Sequence, residues 1–127
     1  MKSYTDLEQS RKLAEILPIE SADMHWQYIE EDNGQLQWFC FPKDFSINKH
    51  NTVLAWSLAA LLEIIPSEIF SGEYIINITE GLDNKWCITY DNIDNKNHSF
   101  YGLSSSADNL IDVCYEIILE LYERKLL

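Results

Sequence analysis

Apolar positions fall into seven runs along the chain, and their period changes from run to run. From Asp6 to Leu17, Leu7, Leu13, Ala14, Ile16 and Leu17 lie on one stripe of a helix that Pro18 ends. Thr5 followed by Glu8 has the spacing of a capping box, in which a hydroxyl and a carboxylate each take up a free backbone N–H. The stretch MHWQYIEEDNGQLQWFCF then alternates on both sides of Asn33-Gly34, the dipeptide of a two-residue hairpin turn with φ > 0 at both positions. That turn sets Trp26 opposite Phe41 and Tyr28 opposite Phe39 on one aromatic face. Ile29 and Trp38, with Gln27 and Cys40, then share the other face.

The segment LAWSLAALLEIIP, Leu54 to Pro66, has only Ser57 and Glu63 as polar residues. They sit about 120° apart on a helix, so no broad wet face exists. A membrane span needs about 20 apolar residues, and this segment is shorter and bounded by Lys49, His50 and Pro66. It also lacks the basic face of a helix lying on a membrane. The pattern predicts a buried central helix, with Asn51-Thr52 as cap candidates and Trp56, Leu58, Leu61, Leu62 and Ile65 inside.

Three alternating runs follow, EYIINITE, KWCITYD and HSFYGL. A connection from Glu80 to Asn84 sets Ile78 opposite Trp86, Ile76 opposite Ile88 and Tyr74 opposite Tyr90. A second hairpin through NIDNKN sets Phe100 opposite Ile88 and Gly102 opposite Trp86. The dry face then holds Tyr74, Ile76, Ile78, Trp86, Ile88, Tyr90 and Phe100. The wet face holds Asn77, Thr79, Lys85, Thr89, Ser99 and Tyr101, with Ile75 and Cys87. From Ala107 to Lys125 a continuous stripe of Ala107, Leu110, Ile111, Cys114, Ile117, Ile118 and Leu121 predicts the last helix. Ser105 with Asp108, or Ser106 with Asn109, are its cap candidates. The order α-ββ-α-βββ-α predicts an α+β, two-layer domain, an antiparallel sheet with helices on one face.

Composition narrows the function classes. At 127 residues, 46% hydrophobic and 13% aromatic, residues 1–127 suit one globular domain. Twenty-one acids stand against nine bases, a net charge of −12. A field of that sign repels phosphate, which argues against direct binding to nucleic acid or an anionic membrane and suits a basic protein partner. Cys40, Cys87 and Cys114 form no CxxC pair and lie in apolar runs, as reduced, buried thiols of a cytoplasmic protein do. The N-terminus has no apolar stretch of the kind that marks a secretory signal.

The sequence carries no familiar catalytic pattern. The chain has no Gly-rich phosphate loop and no GxSxG elbow. His25, His50 and His98 are scattered among polar neighbours, as solvated histidines are. In the register above, His98 opposes Tyr90 and Cys87 opposes Tyr101, about 10 Å apart and beyond the reach of a thiolate–imidazolium pair. Asp91 to His98, DNIDNKNH, has the composition of a calcium loop, but Ile93 and Lys96 stand where a ligand and a glycine are required. Glu30, Glu31 and Asp32 flank a turn and read as solvated. No catalytic residue, metal site or cofactor is expected.

Two features point to binding. On the last helix Asp108, Asp112, Glu116 and Glu120 recur at i, i+4. Each like-charged neighbour costs a few tenths of a kcal/mol, roughly, which a basic partner relieves on docking. Arg124 is placed to relieve Glu120 within the helix. Trp38, on the second hairpin strand, is the candidate contact residue unless a loop such as Lys43 to Asn51 covers it.

At WSLAALLEIIP and SADNLIDVCYEIILELYERKLL the chain resembles small acidic proteins of gut bacteria and their phages or mobile elements, for which no activity is established. The resemblance covers the C-terminal two thirds and implies a bacterial or phage cytosolic setting and an accessory role. The expectation is therefore a non-enzymatic protein-binding accessory protein, with Trp38, Asp112, Glu116 and Glu120 as partner-binding residues. The alternative is an acidic inhibitor or immunity protein that mimics DNA and neutralises a basic nuclease or DNA-binding protein. A small enzyme is the third class.

Overall fold

The computed structural model describes residues 2–44, 52–81, 83–94 and 99–127, the side chains of 99–102 excepted. The fold is α+β, with the expected elements in the expected order and one further strand on each side of the second helix, and its strands form two antiparallel sheets where one was expected. The chain divides into two compact units, Ser3–Ala60 and Leu61–Leu127 with Lys2, and the boundary falls within the second helix.

The first unit opens with α1 (Leu7–Ile16), whose capping box starts one residue later than Thr5–Glu8 predicts. The Asp6 carboxylate accepts the Gln9 N–H at 2.8 Å, and Gln9 Oε1 accepts the Asp6 N–H at 3.1 Å. Thr5 is taken by the tertiary structure instead. Its hydroxyl accepts the Trp56 N–H at 3.1 Å and lies 2.7 Å from Ser10 Oγ. Its backbone N–H donates to Trp56 O, and its carbonyl accepts the Trp26 indole N–H at 3.0 Å. A fully buried threonine with these partners cannot turn outward to cap a helix.

Strands β1 (Met24–Glu30), β2 (Leu36–Pro42) and β3 (Thr52–Ala55) form a sheet in the order β2-β1-β3. The β1–β2 register departs from expectation by one residue: Trp26 opposes Cys40, Gln27 opposes Phe39 and Tyr28 opposes Trp38. The cause is the turn. Glu31 N–H donates to Gln35 O and Gly34 N–H to Glu31 O, and of the turn residues only Gly34 is left-handed, at φ 81°. This is a type I turn followed by a left-handed bulge residue, one residue longer than the two-residue turn. A one-residue slip changes which side chains share a face. Trp26, Tyr28, Trp38 and Cys40 lie together, and Phe39 and Phe41 move to the side of His25 and Gln27.

The apolar segment also divides. Val53 to Ala55 pair with β1, Met24 opposite Ala55, so Thr52 begins a strand rather than capping a helix. Trp56 follows, fully buried, its indole N–H donating to Ser21 Oγ at 3.0 Å. Ser57 Oγ then accepts the Ala60 N–H at the start of α2 (Leu58–Ile64), and the Asp23 carboxylate accepts both the Ser57 N–H and its hydroxyl. Trp56, Leu61 and Ile65 are buried, Leu58 is half-buried and Leu62 is exposed. The segment is core, but only its second half is helical. Buried strands and buried helices have the same apolar composition, and periodicity alone does not separate them.

In the second unit β4 (Glu68–Ile69), β5 (Tyr74–Glu80), β6 (Trp86–Asn92) and β7 (Ser99–Ala107) form a sheet in chain order. Ile76 opposes Tyr90 and Ile78 opposes Ile88, two residues from the expected register. An even slip leaves every side chain on its predicted face. β7 runs through the serines predicted as caps and sets Ser105 opposite Ile88 and Ser106 opposite Cys87, with a bulge between Thr89 and Asp91. Gly102 and Tyr101 therefore do not face Trp86 and Cys87. The cap of α3 (Leu110–Glu123) is Asn109, whose Oδ1 accepts the Asp112 N–H at 2.9 Å.

α3 packs on β6 and β7. Its Ile111, Cys114, Ile117, Ile118 and Leu121 are buried as the stripe predicts, and so is Val113. On the sheet Ile88, Tyr90 and Leu103 are fully buried, and the Tyr90 hydroxyl donates to Pro66 O at 2.6 Å. The predicted dry face is dry only at its centre: Tyr74, Ile76 and Trp86 are half-buried and Ile78 is exposed. Phe100 as a side chain, His50 and His98 lie outside the described residues.

Candidate functional site

β2 is an edge strand, and its register aims Trp38 to the same side as Tyr28 of β1. The two rings stack with centroids 5.0 Å apart and planes 27° apart. From α1 the Arg11 guanidinium lies 5.7 Å from the Trp38 ring centroid, within cation–π range. Trp38 and Tyr28 are half-buried and Arg11 is exposed. Most of the loop expected to cover Trp38 lies outside the described residues; among the described residues, Tyr28 and Arg11 make ring contacts with it. Neither was read from the sequence. A two-residue turn at Asn33-Gly34 places Tyr28 and Trp38 on opposite faces, whereas the longer turn sets them opposite each other, and Arg11 comes from a different element.

The acidic stripe is only partly as predicted. Asp108 precedes the cap and is not on the helix. Asp112 is already engaged: Lys2 Nζ lies 2.8 Å from Oδ1, and Asn109 Nδ2 donates to Oδ2 at 2.7 Å. Glu120 pairs with Arg124 Nε at 3.4 Å, as its i, i+4 position suggests. Glu116 is the exposed acid between them. Repulsion along the stripe is thus relieved internally at both ends.

His25 corrects the expectation of a solvated histidine. It is 5% exposed, opposite Phe41 on one ladder and Leu54 on the other, because β1 is the central strand. The Gln27 side-chain amide faces His25 Nε2, so the two buried polar side chains of β1 are partnered with each other. Its sequence signal was the alternation His25, Gln27, Ile29 within an apolar run.

The three thiols are free: Cys114 is buried, Cys40 and Cys87 half-buried. Burial pushes the Cys114 thiol up to about 12. Burial and the Asp23 carboxylate push Cys40 up to about 11. Both stay protonated near neutral pH and are poor nucleophiles there. Among the described residues no group of three or more His, Cys, Asp or Glu is placed to hold a metal ion, and no helix is long and apolar enough to cross a membrane. No protein-family model, no curated protein and no solved structure matches the chain.

Proposed function

We propose that the protein acts by binding another protein and not by catalysis, as a cytoplasmic accessory protein of a bacterium or its phage. The observation that carries this reading is the Trp38–Tyr28–Arg11 cluster on an edge strand. Trp, Tyr and Arg are the residue types most enriched at binding hot spots, and a stacked pair loses little conformational freedom when a partner covers it. The net charge of −12 selects a basic partner by steering and by excluding acidic competitors. Glu116 and the rim of α3 contribute to that field. Asp112 and Glu120 do so less, each sharing its charge with a neighbouring base.

The test is affinity capture from host lysate with mass spectrometry, using wild type and Trp38→Ala side by side. Loss of a hot-spot tryptophan lowers affinity by about thirtyfold or more. Circular dichroism should show the variant folded. Undiminished capture of every partner by Trp38→Ala, with the fold intact, overturns the assignment of the site.

A further inference from the structure

On the face of the four-stranded sheet opposite Ile88 and Tyr90, cross-strand pairing aligns Glu68, Ile75 and Asp91 in one row and Asn77 and Thr89 in the next. A cleft of about 410 Å³ opens there, lined by Ile75, Ile76, Asn77, Asp91, Asn92 and Ile93. That volume falls in the range of small-molecule sites. Its rim is apolar, with Ile75 46% and Ile93 51% exposed. Asp91 is the one carboxylate among the described lining residues, and it is held from both sides. Asn77 Nδ2 donates to Oδ2 at 2.9 Å and Thr89 Oγ1 donates to Oδ1 at 3.0 Å. Both donors are neutral, and Asp91 has no ion-pair partner among the described residues. Its charge is oriented but not balanced, and each oxygen keeps a lone pair for a further donor.

We infer that this cleft binds a small organic cation, a primary ammonium or guanidinium group on a short alkyl chain. The cationic head takes the free lone pairs of Asp91, where a charge-assisted hydrogen bond is stronger than a neutral one. The alkyl arm lies against Ile75 and Ile93 and removes their surface from water. Carboxylate and apolar rim together select the ligand: a metal ion or free ammonium gains nothing from the isoleucines, and a neutral alkyl compound gains nothing from Asp91. The site shares no residue with the Trp38 cluster and stands or falls separately from it.

The experiment is titration of the full chain with n-butylguanidinium, followed by methyl shifts of Ile75 and Ile93. n-Butylurea serves as the neutral isostere and the tripeptide acetyl-Gly-Arg-Gly-amide as the protein-like alternative. Saturable shifts with n-butylguanidinium are expected, weakened by about tenfold or more with n-butylurea or in Asp91→Asn. Ile93→Ser, at an exposed position that does not threaten folding, should weaken binding by about threefold to tenfold. Equal binding of n-butylurea, or unchanged affinity in both variants, overturns the proposal. Binding of the tripeptide without binding of n-butylguanidinium also overturns it, in favour of a docking point for a protein's arginine.

Discussion

Gly34 and Asn84 hold the same position in two hairpins. In each, the first loop residue's N–H donates to the fifth residue's carbonyl, and the fourth residue is left-handed, at φ 81° and 60°. In each, the third residue's side chain, Asn33 or Asp83, accepts the fifth residue's N–H. Gly34→Ala meets no atom within 4 Å, so its cost is backbone strain alone, about 1–2 kcal/mol by denaturant unfolding. Asn84→Gly should leave stability unchanged within about 0.5 kcal/mol, since both residues tolerate this conformation. The Asn-Gly pair marked where the first hairpin turns but not its length, because a glycine at φ > 0 serves both turn types. The titrating residues make a second prediction. Cys114 keeps its proton up to about 12 when folded, whereas an unfolded thiol releases it near its ordinary value of 9.0. The folded state therefore binds more protons between those limits, and stability falls as pH rises through them. Cys40, raised to about 11, and Tyr90, raised by burial to about 12, act in the same direction. Melting temperatures should decline above about pH 9. Cys114→Ala should flatten part of that decline.

Elements show where local signals compete with distant ones. The first helix carried two overlapping boxes, Thr5 with Glu8 and Asp6 with Gln9, and local spacing does not choose between them. The choice fell to Trp56, 51 residues away, whose backbone occupies the Thr5 hydroxyl. Asp6→Ala should therefore cost about 1 kcal/mol in thermal or denaturant melts, and Glu8→Ala less than about 0.5 kcal/mol. On α3, Glu116→Gln should leave stability unchanged or raise it slightly, since it removes a like charge from between Asp112 and Glu120. Asp112→Asn should lower it, because the carboxylate is bonded to Asn109 and paired with Lys2. The opposite order of these two variants in a melting experiment would contradict the assigned pairs. Strand registers follow the same logic. The β5–β6 slip was even and harmless to the faces, while the β1–β2 slip was odd and moved Phe39 and Phe41 to the other side.

For the whole molecule, the apolar middle of the chain and the acidic excess set the energetics. Leu61 is fully buried, and Leu61→Ala should cost about 2–5 kcal/mol, a large part of a domain's stability. With net charge −12 the folded chain repels itself. Raising salt to about 0.5 M should increase the melting temperature, because screening then acts over only a few ångströms. The sequence by itself determined the α+β class, the element order, the helical stripes and the core character of Leu54 to Pro66. Each of these rests on period, composition or capping within about a dozen residues. Tertiary structure alone decided the division of that segment into strand and helix, the burial of His25 and the neighbours of Trp38. Those depend on which backbone edge lies free for pairing and which side chain arrives from another element, and neither is encoded in local spacing. The Asp91 cleft belongs to the second kind. Its wet face was legible from alternation, which also sets Thr89 beside Asp91 on one strand, but Asn77, the second donor, meets the carboxylate only through strand register.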